Sequence, residues 1–316
     1  MADDGVLKEV LDNGLTVIIQ ENKTAPVAAV NFWLKAGSVF EDENEKGLMH
    51  FIEHMMFKGT EKRGLGVIDR EMKELGGYNN AFTSYDATNY IIVLPSKNIL
   101  KAIEIQYDAL TGSVFDEMEI EKEREVILTE LHRGKDNPFT MLWQNFMKLA
   151  FEDGYAHPII GYEHLLERYT RPQIMNFWKK YYLPQNLVVV VAGDVETKEV
   201  LEKIRKTFGK IPKKGRVKGI KTEVLKEKIS GKGIEFGRFS GNIHSRYFAV
   251  GFRIPDELSD DIPKLEVLAR VLGGTESSAL YKKVKEKEQL VDDISAVSYT
   301  HLRAHETVLD LVCRLL

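Results

Sequence analysis

The chain predicts an α+β fold, and three observations carry that prediction. Residues 7–11 and 15–20 are β-prone runs joined by Asp12-Asn13-Gly14, and Asn and Gly tolerate the positive φ that a tight hairpin needs. Residues 117–133 form a long charged stretch with helical character, preceded by Asp116 as its cap. Residues 187–192, LVVVVA, return to an unbroken β-prone run of the kind that becomes a buried strand. Strands and helices thus share one unit of about two hundred residues.

The elements between follow in order. Another apolar run at 27–34 comes after Pro26 and reads as a strand. Residues 45–57 switch to helical character, with Leu48, Phe51, Ile52, Met55 and Met56 as an apolar body. A second helix at 67–75 is stopped by Gly76-Gly77. Residues 80–84 and 89–94 read as strands around Tyr85-Asp86-Ala87, and Pro95-Ser96 opens a helix to about residue 110. Helical stretches at 139–151 and 172–182 precede the buried strand, and a helix at 195–208 closes the domain, placed at 1–209. The lysine-rich stretch 210–228 contains Pro212 and two glycines and reads as a solvated linker. A second unit begins at 229, with a strand at 247–252 and a helix at 262–272, and is too short by 296 to build a core of equal size.

The last twenty residues, VSYTHLRAHETVLDLVCRLL, break with the preceding charge pattern and periodicity. Their first eleven can be encoded by a transposase-type sequencing adapter read in frame. Residues 297–316 are therefore expected to be translated adapter rather than native protein, leaving the second domain truncated. On that reading His301, His305 and Cys313 are neither ligands nor nucleophiles.

Composition narrows the function. At 316 residues with 43% hydrophobic content, the chain has enough apolar material for two cores. With 48 acidic against 44 basic residues, and no basic stretch interleaved with aromatics, nucleic acid is not an expected partner. No apolar run reaches the length of a membrane span. The start, MADDGVLKEV, lacks a leader pattern, which predicts a cytoplasmic protein, or a periplasmic or secreted one if a leader was trimmed before Met1. Cys313 is the single cysteine, so any metal here must be held by His and carboxylates.

His50 and His54 are four apart on a predicted helix, so both imidazoles project from one face and can share a tetrahedral zinc. Glu53, one position before His54, can take a proton from a water activated by that metal. A further donor is required, and the helix at 117–133 offers Glu123 and Glu130, two turns apart on one face. One would ligate and the other support the site, and periodicity does not choose between them. His132, His157, His164 and His244 stand in no ligand spacing and read as structural or exposed.

The run GLMHFIEHMMFKGTEKR resembles the signature of the pitrilysin, or insulinase-like, zinc metallopeptidases (peptidase family M16), which include insulin-degrading enzyme and mitochondrial processing peptidase. LDNGLTVIIQEN, KAGSVFEDENEKG, GGYNNAFTSYDATNY, EREVILTE and IIGYEHL resemble successive blocks of that family, in its order, over nearly all of residues 7–296. The resemblance implies tandem domains of the processing-peptidase fold, each an antiparallel-rich sheet with helices packed on one side, closing around the substrate as a chamber. It implies one Zn²⁺ per chain on His50, His54 and Glu130, with Glu53 as general base and Glu123 in support. It further implies that Asn80 and Ala81 lie on an edge strand that pairs with an extended peptide, a mode of recognition largely blind to sequence.

One block departs from the family. Where members that act alone carry an Arg and a Tyr over the zinc site, LYKKVKEKEQLVDDISA places Lys285 and Asp292. Lysine lacks the bidentate fork, and aspartate has no phenolic donor. A second pair of homologous domains in the same gene, or a partner subunit, would have to supply both. The expected activity is endopeptidase cleavage of extended or unfolded segments. The alternatives are a non-catalytic subunit of the same fold and an inactive fragment that keeps its zinc site. Structural subunits of this kind have eroded motifs, whereas here His50, Glu53, His54 and Glu130 are all present.

Overall fold

The computed structural model describes residues 5–151, 154–213, 237–240, 245–255, 259–299 and 306–315. By internal packing the chain divides into two units, Met1–Thr129 with Ile159–Gly219, and Glu130–Pro158 with Ile220–Leu316. The segment Glu130–Pro158, read from the sequence as part of the first domain, thus groups with the second unit. The linker expected at 210–228 lies outside the described residues from 214 onward, as do His244, His301 and His305.

In the first unit, β1 (Val6–Val10), β2 (Thr16–Glu21), β3 (Val27–Leu34), β4 (Tyr78–Thr83), β5 (Thr88–Pro95) and β6 (Leu187–Gly193) form one sheet in the order β1-β2-β6-β3-β5-β4. Every pairing is antiparallel except β2 with β6, where Thr16 lies opposite Val188. The hairpin between β1 and β2 is the one its turn residues predict: Gly14 has φ +90, and Asn13 donates from Nδ2 to the carbonyl of Phe208 at 2.8 Å.

The helices are α1 (Leu48–Met55), α2 (Val67–Glu74), α3 (Ile99–Gly112), α4 (Glu117–Asp136), α5 (Pro138–Ala150), α6 (Glu163–Leu166), α7 (Arg171–Tyr181) and α8 (Thr197–Lys206). Val17, Ile19, Val30, Phe32, Ile92 and Val189 face one side of the sheet and are fully buried. There α3 covers β3 and β5, and α8 covers β2, burying Ala102, Ile103, Val200 and Ile204. Each large apolar side chain so buried contributes about 1.5–3 kcal/mol. The other face, with Ile18, Trp33 and Val190, stays half-buried, so the helices pack on one side.

Two of the boundaries that differ from the sequence reading have a visible cause in the backbone. The helix expected from 45 begins at Leu48, because Gly47 has φ +99 and ends the preceding turn in a left-handed conformation that a helix cannot contain. The strand expected at 80–84 runs from Tyr78 to Thr83, because Gly76 at φ +70 completes the turn out of α2 and lets pairing with β5 begin at once.

The second unit has β7 (Arg246–Pro255), α9 (Ile262–Gly273), a π-helical turn over Tyr281–Lys287, β8 (Val291–Tyr299) and β9 (Glu306–Leu315). The strands form an antiparallel sheet in the order β7-β9-β8, to which the stretch 297–316 contributes the end of β8 and all of β9. Its buried clusters are small: Ile254, Ile262 and Ala269 in one, Val291 and Ile294 in another. α5 meets β7 through the rings of Phe139 and Tyr247, 4.9 Å apart. Among the described residues, no helix is long and apolar enough to cross a membrane.

Candidate metal centre

α1 is held at both its buried face and its start. Leu48, Met49, Phe51, Ile52 and Met55 are buried. At the start, the buried Glu41 carboxylate accepts from the amides of Gly47 at 2.8 Å and Met49 at 2.7 Å, satisfying donors that a helix leaves open at its first turn. Gly47 also lies against the loop at 160–161, where an added Cβ would fall 2.6 Å from the carbonyl oxygen of Ile160. A larger residue there would push the helix off its seat.

This seating presents His50 and His54 together, with Nε2 atoms 3.3 Å apart. His54 Nδ1 lies 2.9 Å from Glu123 Oε1. Burial pushes the Glu123 carboxyl up, but hydrogen bonds from His54 and Lys58 outweigh it and hold the group below its ordinary range. Glu123 is therefore an acceptor and Nδ1 the donor, which leaves Nε2 as the His54 nitrogen that would face a cation. Burial, with the neighbouring His54 second, pushes the His50 imidazole down to about 3, so His50 is neutral at pH 7, the form that ligates a metal.

α4 carries the carboxylates. Asp116 caps its start, accepting from the amides of Met118 at 2.9 Å and Glu119 at 3.2 Å. Arg124 ties the helix down by donating to the carbonyls of Leu166 and Tyr169. Two turns beyond Glu123 on this unbroken helix stands Glu130, exposed, and His50, His54 and Glu130 could hold a metal ion, with ligand atoms all within 4.8 Å of one another. The donor set fits zinc: two imidazole nitrogens and one carboxylate oxygen, leaving room for a further ligand.

Glu53 is buried beside this group, and Thr83 donates from Oγ1 to its Oε2 at 2.6 Å. Thr83 ends β4, the outermost strand of the sheet, where Asn80 pairs with Ile91 and Ala81 with Tyr90. Its other edge carries no strand among the described residues. Lys285 and Asp292 lie in the second unit. Lys285 Nζ is 4.5 Å above the Tyr281 ring and 3.8 Å from Asp293 Oδ1, and Asp292 is exposed on β8. Of the remaining histidines, His132 is exposed, His157 is buried with Nδ1 3.1 Å from the carbonyl of Pro158, and His164 stacks on Tyr162 at 5.9 Å.

Two polar contacts were not legible from the sequence: Thr83 on Glu53, and Lys58 Nζ at 2.5 Å from Glu123 Oε2. Lys58 repeats the four-residue spacing of His50 and His54, a faint signal. Thr83 carried none, because its partner is thirty residues away along the chain.

A sequence model described as Insulinase (Peptidase family M16) matches residues 16–162, and one described as Peptidase M16 inactive domain matches residues 168–311. An uncharacterized zinc protease of Rickettsia felis is 31% identical over 293 residues, covering 92% of this chain and 69% of that protein. The chain belongs to peptidase family M16. Another M16 relative, the mitochondrial-processing peptidase β subunit of Blastocladiella emersonii, is 32% identical over 203 residues, 64% of this chain and 44% of its own length. A protease from Helicobacter pylori superposes with a TM-score of 0.86 at 26% identity, covering 98% of this chain and 75% of that one. The M16 fold and the likeness to processing peptidase expected from the signature blocks are both met. The chain spans only part of each of these relatives. Lys285 and Asp292 fall within the match to the inactive domain.

Proposed function

We propose that this M16 chain is a zinc metalloendopeptidase that hydrolyses peptide bonds in extended or unfolded segments. The observation that carries this reading is the convergence of His50 and His54 of α1 with Glu130 of α4 as metal donors, on an α1 whose Glu53 is hydrogen-bonded to the edge strand β4. When bound, zinc would supply Lewis acidity, polarising a scissile carbonyl and lowering the pKa of a water. The other steps belong to the chain. A peptide in extended conformation adds to the outer edge of β4, its backbone pairing with that of Asn80 and Ala81, which selects for conformation over sequence. Glu53, with Oε2 held by Thr83, presents Oε1 to the attacking water, takes its proton and returns it to the leaving amine. Glu123 fixes the ring of His54.

Lys285 and Asp292 favour a second component to the reading. Neither side chain can provide the bidentate and phenolic donors expected over the site, so a homologous partner chain, or further domains of the same protein, would provide them. A chain that binds zinc and cuts only after such a partner is added would fit this version.

The test pairs zinc content with cleavage of a quenched, unstructured peptide, for the wild type and for Glu53→Gln. Wild type is expected to hold about one zinc and to cut, and Glu53→Gln to keep the metal while losing about 10²–10⁴-fold in rate. A variant that cuts as fast as wild type, or a wild type without zinc, would remove this reading.

A further inference from the structure

Lys58 stands just beyond α1, and its backbone is tied on both sides. Its amide donates to the carbonyl of Met55 at 3.1 Å, and the next residue, Gly59, takes φ +113 and accepts from the amide of Val114 at 3.3 Å. Thr60 then bridges to Ser113. Phe57, on the other flank, packs its ring 6.1 Å from that of Tyr90. The side chain leaves this pinned backbone with 30% of its surface exposed and ends on Glu123 Oε2 at 2.5 Å, where the Glu123 side chain is only 7% exposed. The other oxygen of the same carboxylate holds His54 Nδ1 at 2.9 Å.

We propose that Lys58 is a positioning residue of the metal centre, holding the Glu123 carboxylate against His54 and thereby setting how tightly His50, His54 and Glu130 take a zinc ion. This rests on the zinc reading above. A buried carboxylate with one proton donor can rotate about its side-chain torsions, and each rotation tilts the imidazole it orients. A cation on the second oxygen fixes the carboxylate at two points, so the His54 ring is held before the metal arrives and less ordering remains to be done on binding. The ammonium also balances a desolvated anion whose other partner is the His54 imidazole. An exposed ion pair would contribute little, but here the carboxylate is the buried partner. Without Lys58, the carboxylate would be free to turn away, and His54 would lose its anchor without any metal ligand having changed.

The test is zinc affinity, read by competition with a chromophoric chelator on the full chain, for wild type, Lys58→Met, Lys58→Arg, Glu123→Gln and the Lys58→Met/Glu123→Gln double variant. Partners at this remove from a metal affect its affinity by about 10–100-fold. Lys58→Met is expected to bind zinc about tenfold more weakly, and Lys58→Arg, which restores the cation, to stay within about threefold of wild type. The double variant is expected to bind no more weakly than Glu123→Gln alone, because Lys58 acts only through that carboxylate. Lys58→Met affinity equal to wild type, or a Lys58 effect that persists in full on the Glu123→Gln background, would overturn the proposal. A merely structural Lys58 would lower the melting temperature of the metal-free protein and leave the two losses additive, and that result also counts against it. If wild type itself took up no zinc, the zinc reading would fall first, an outcome distinct from a Lys58→Met chain that binds as wild type does.

Discussion

The two units of this chain invest their polar groups differently. In the first, charged and polar side chains are buried and mutually committed: Glu41 on the start of α1, Glu123 between His54 and Lys58, Thr83 on Glu53. In the second, Lys285 is half-buried against the Tyr281 ring and Asp292 is exposed. Buried polar groups stay only where every partner is provided, and such groups hold one geometry firmly. The proposed chemistry draws on the six-stranded unit and on α4, whose Glu130 groups with the second unit, and the contrast can be broken or sharpened by substitution.

The largest effect should follow removal of a ligand. His54→Ala is expected to weaken zinc binding by more than the roughly 100-fold that a supporting partner costs, measured by chelator competition. Retained affinity would mean that the metal sits elsewhere. Next, Thr83→Val keeps the shape of the side chain and deletes its hydroxyl. It should lower kcat about tenfold with KM and zinc affinity unchanged, while Thr83→Ser restores the rate. A change in KM alone would instead make Thr83 part of the peptide-binding edge.

A smaller effect concerns pH in the metal-free protein. His50 remains neutral in the folded chain down to about 3, whereas its ordinary value is 6.5. Between these values the unfolded chain binds more protons, so stability rises with pH across this window and is lost as pH falls from about 6.5 toward about 3. Denaturant titrations of His50→Phe should show a slope over that window shallower by up to about one proton. An unchanged slope would place the pH sensitivity on other groups. The smallest effect is expected in the second unit, where Lys285→Ala should leave zinc affinity and cleavage within about twofold, as substitutions away from the metal donors do. A loss of tenfold in cleavage would restore this unit to the active machinery.

The legible part of the site is the part that depends on local spacing. His50, Glu53 and His54 fall on one helix, and a period of 3.6 residues brings the two imidazoles to one face wherever that helix packs. Glu123 and Glu130 were both visible as candidates, yet periodicity placed them on the same face of α4 and gave no reason to prefer either. Their contacts in the fold separate them, since Glu123 reaches the outer nitrogen of His54 while Glu130 lies among the possible metal donors. The strands at β2, β3, β5 and β6 were legible from composition, but the insertion of β6 between β2 and β3, parallel to one and antiparallel to the other, was not.

By itself, then, the sequence determined the identity of the zinc-type motif, the helices that carry it and the hairpin at Asp12-Asn13-Gly14, while the departure at Lys285 and Asp292 was visible only through the family resemblance. The motif, its helices and the hairpin are properties of neighbours along the chain, set by turn chemistry, side-chain periodicity and donor type. Only the tertiary structure decided that Thr83 holds Glu53 and that Lys58 closes the line from Glu123 to His54, and it gave Glu123 and Glu130, already told apart by the family resemblance, their separate contacts. The contacts of Thr83 and Glu123 join residues 30 to 69 positions apart. They form only because burying one face of the sheet beneath α3 and α8 fixes the strands first, and a side chain can choose a distant partner only once that packing has brought it within reach.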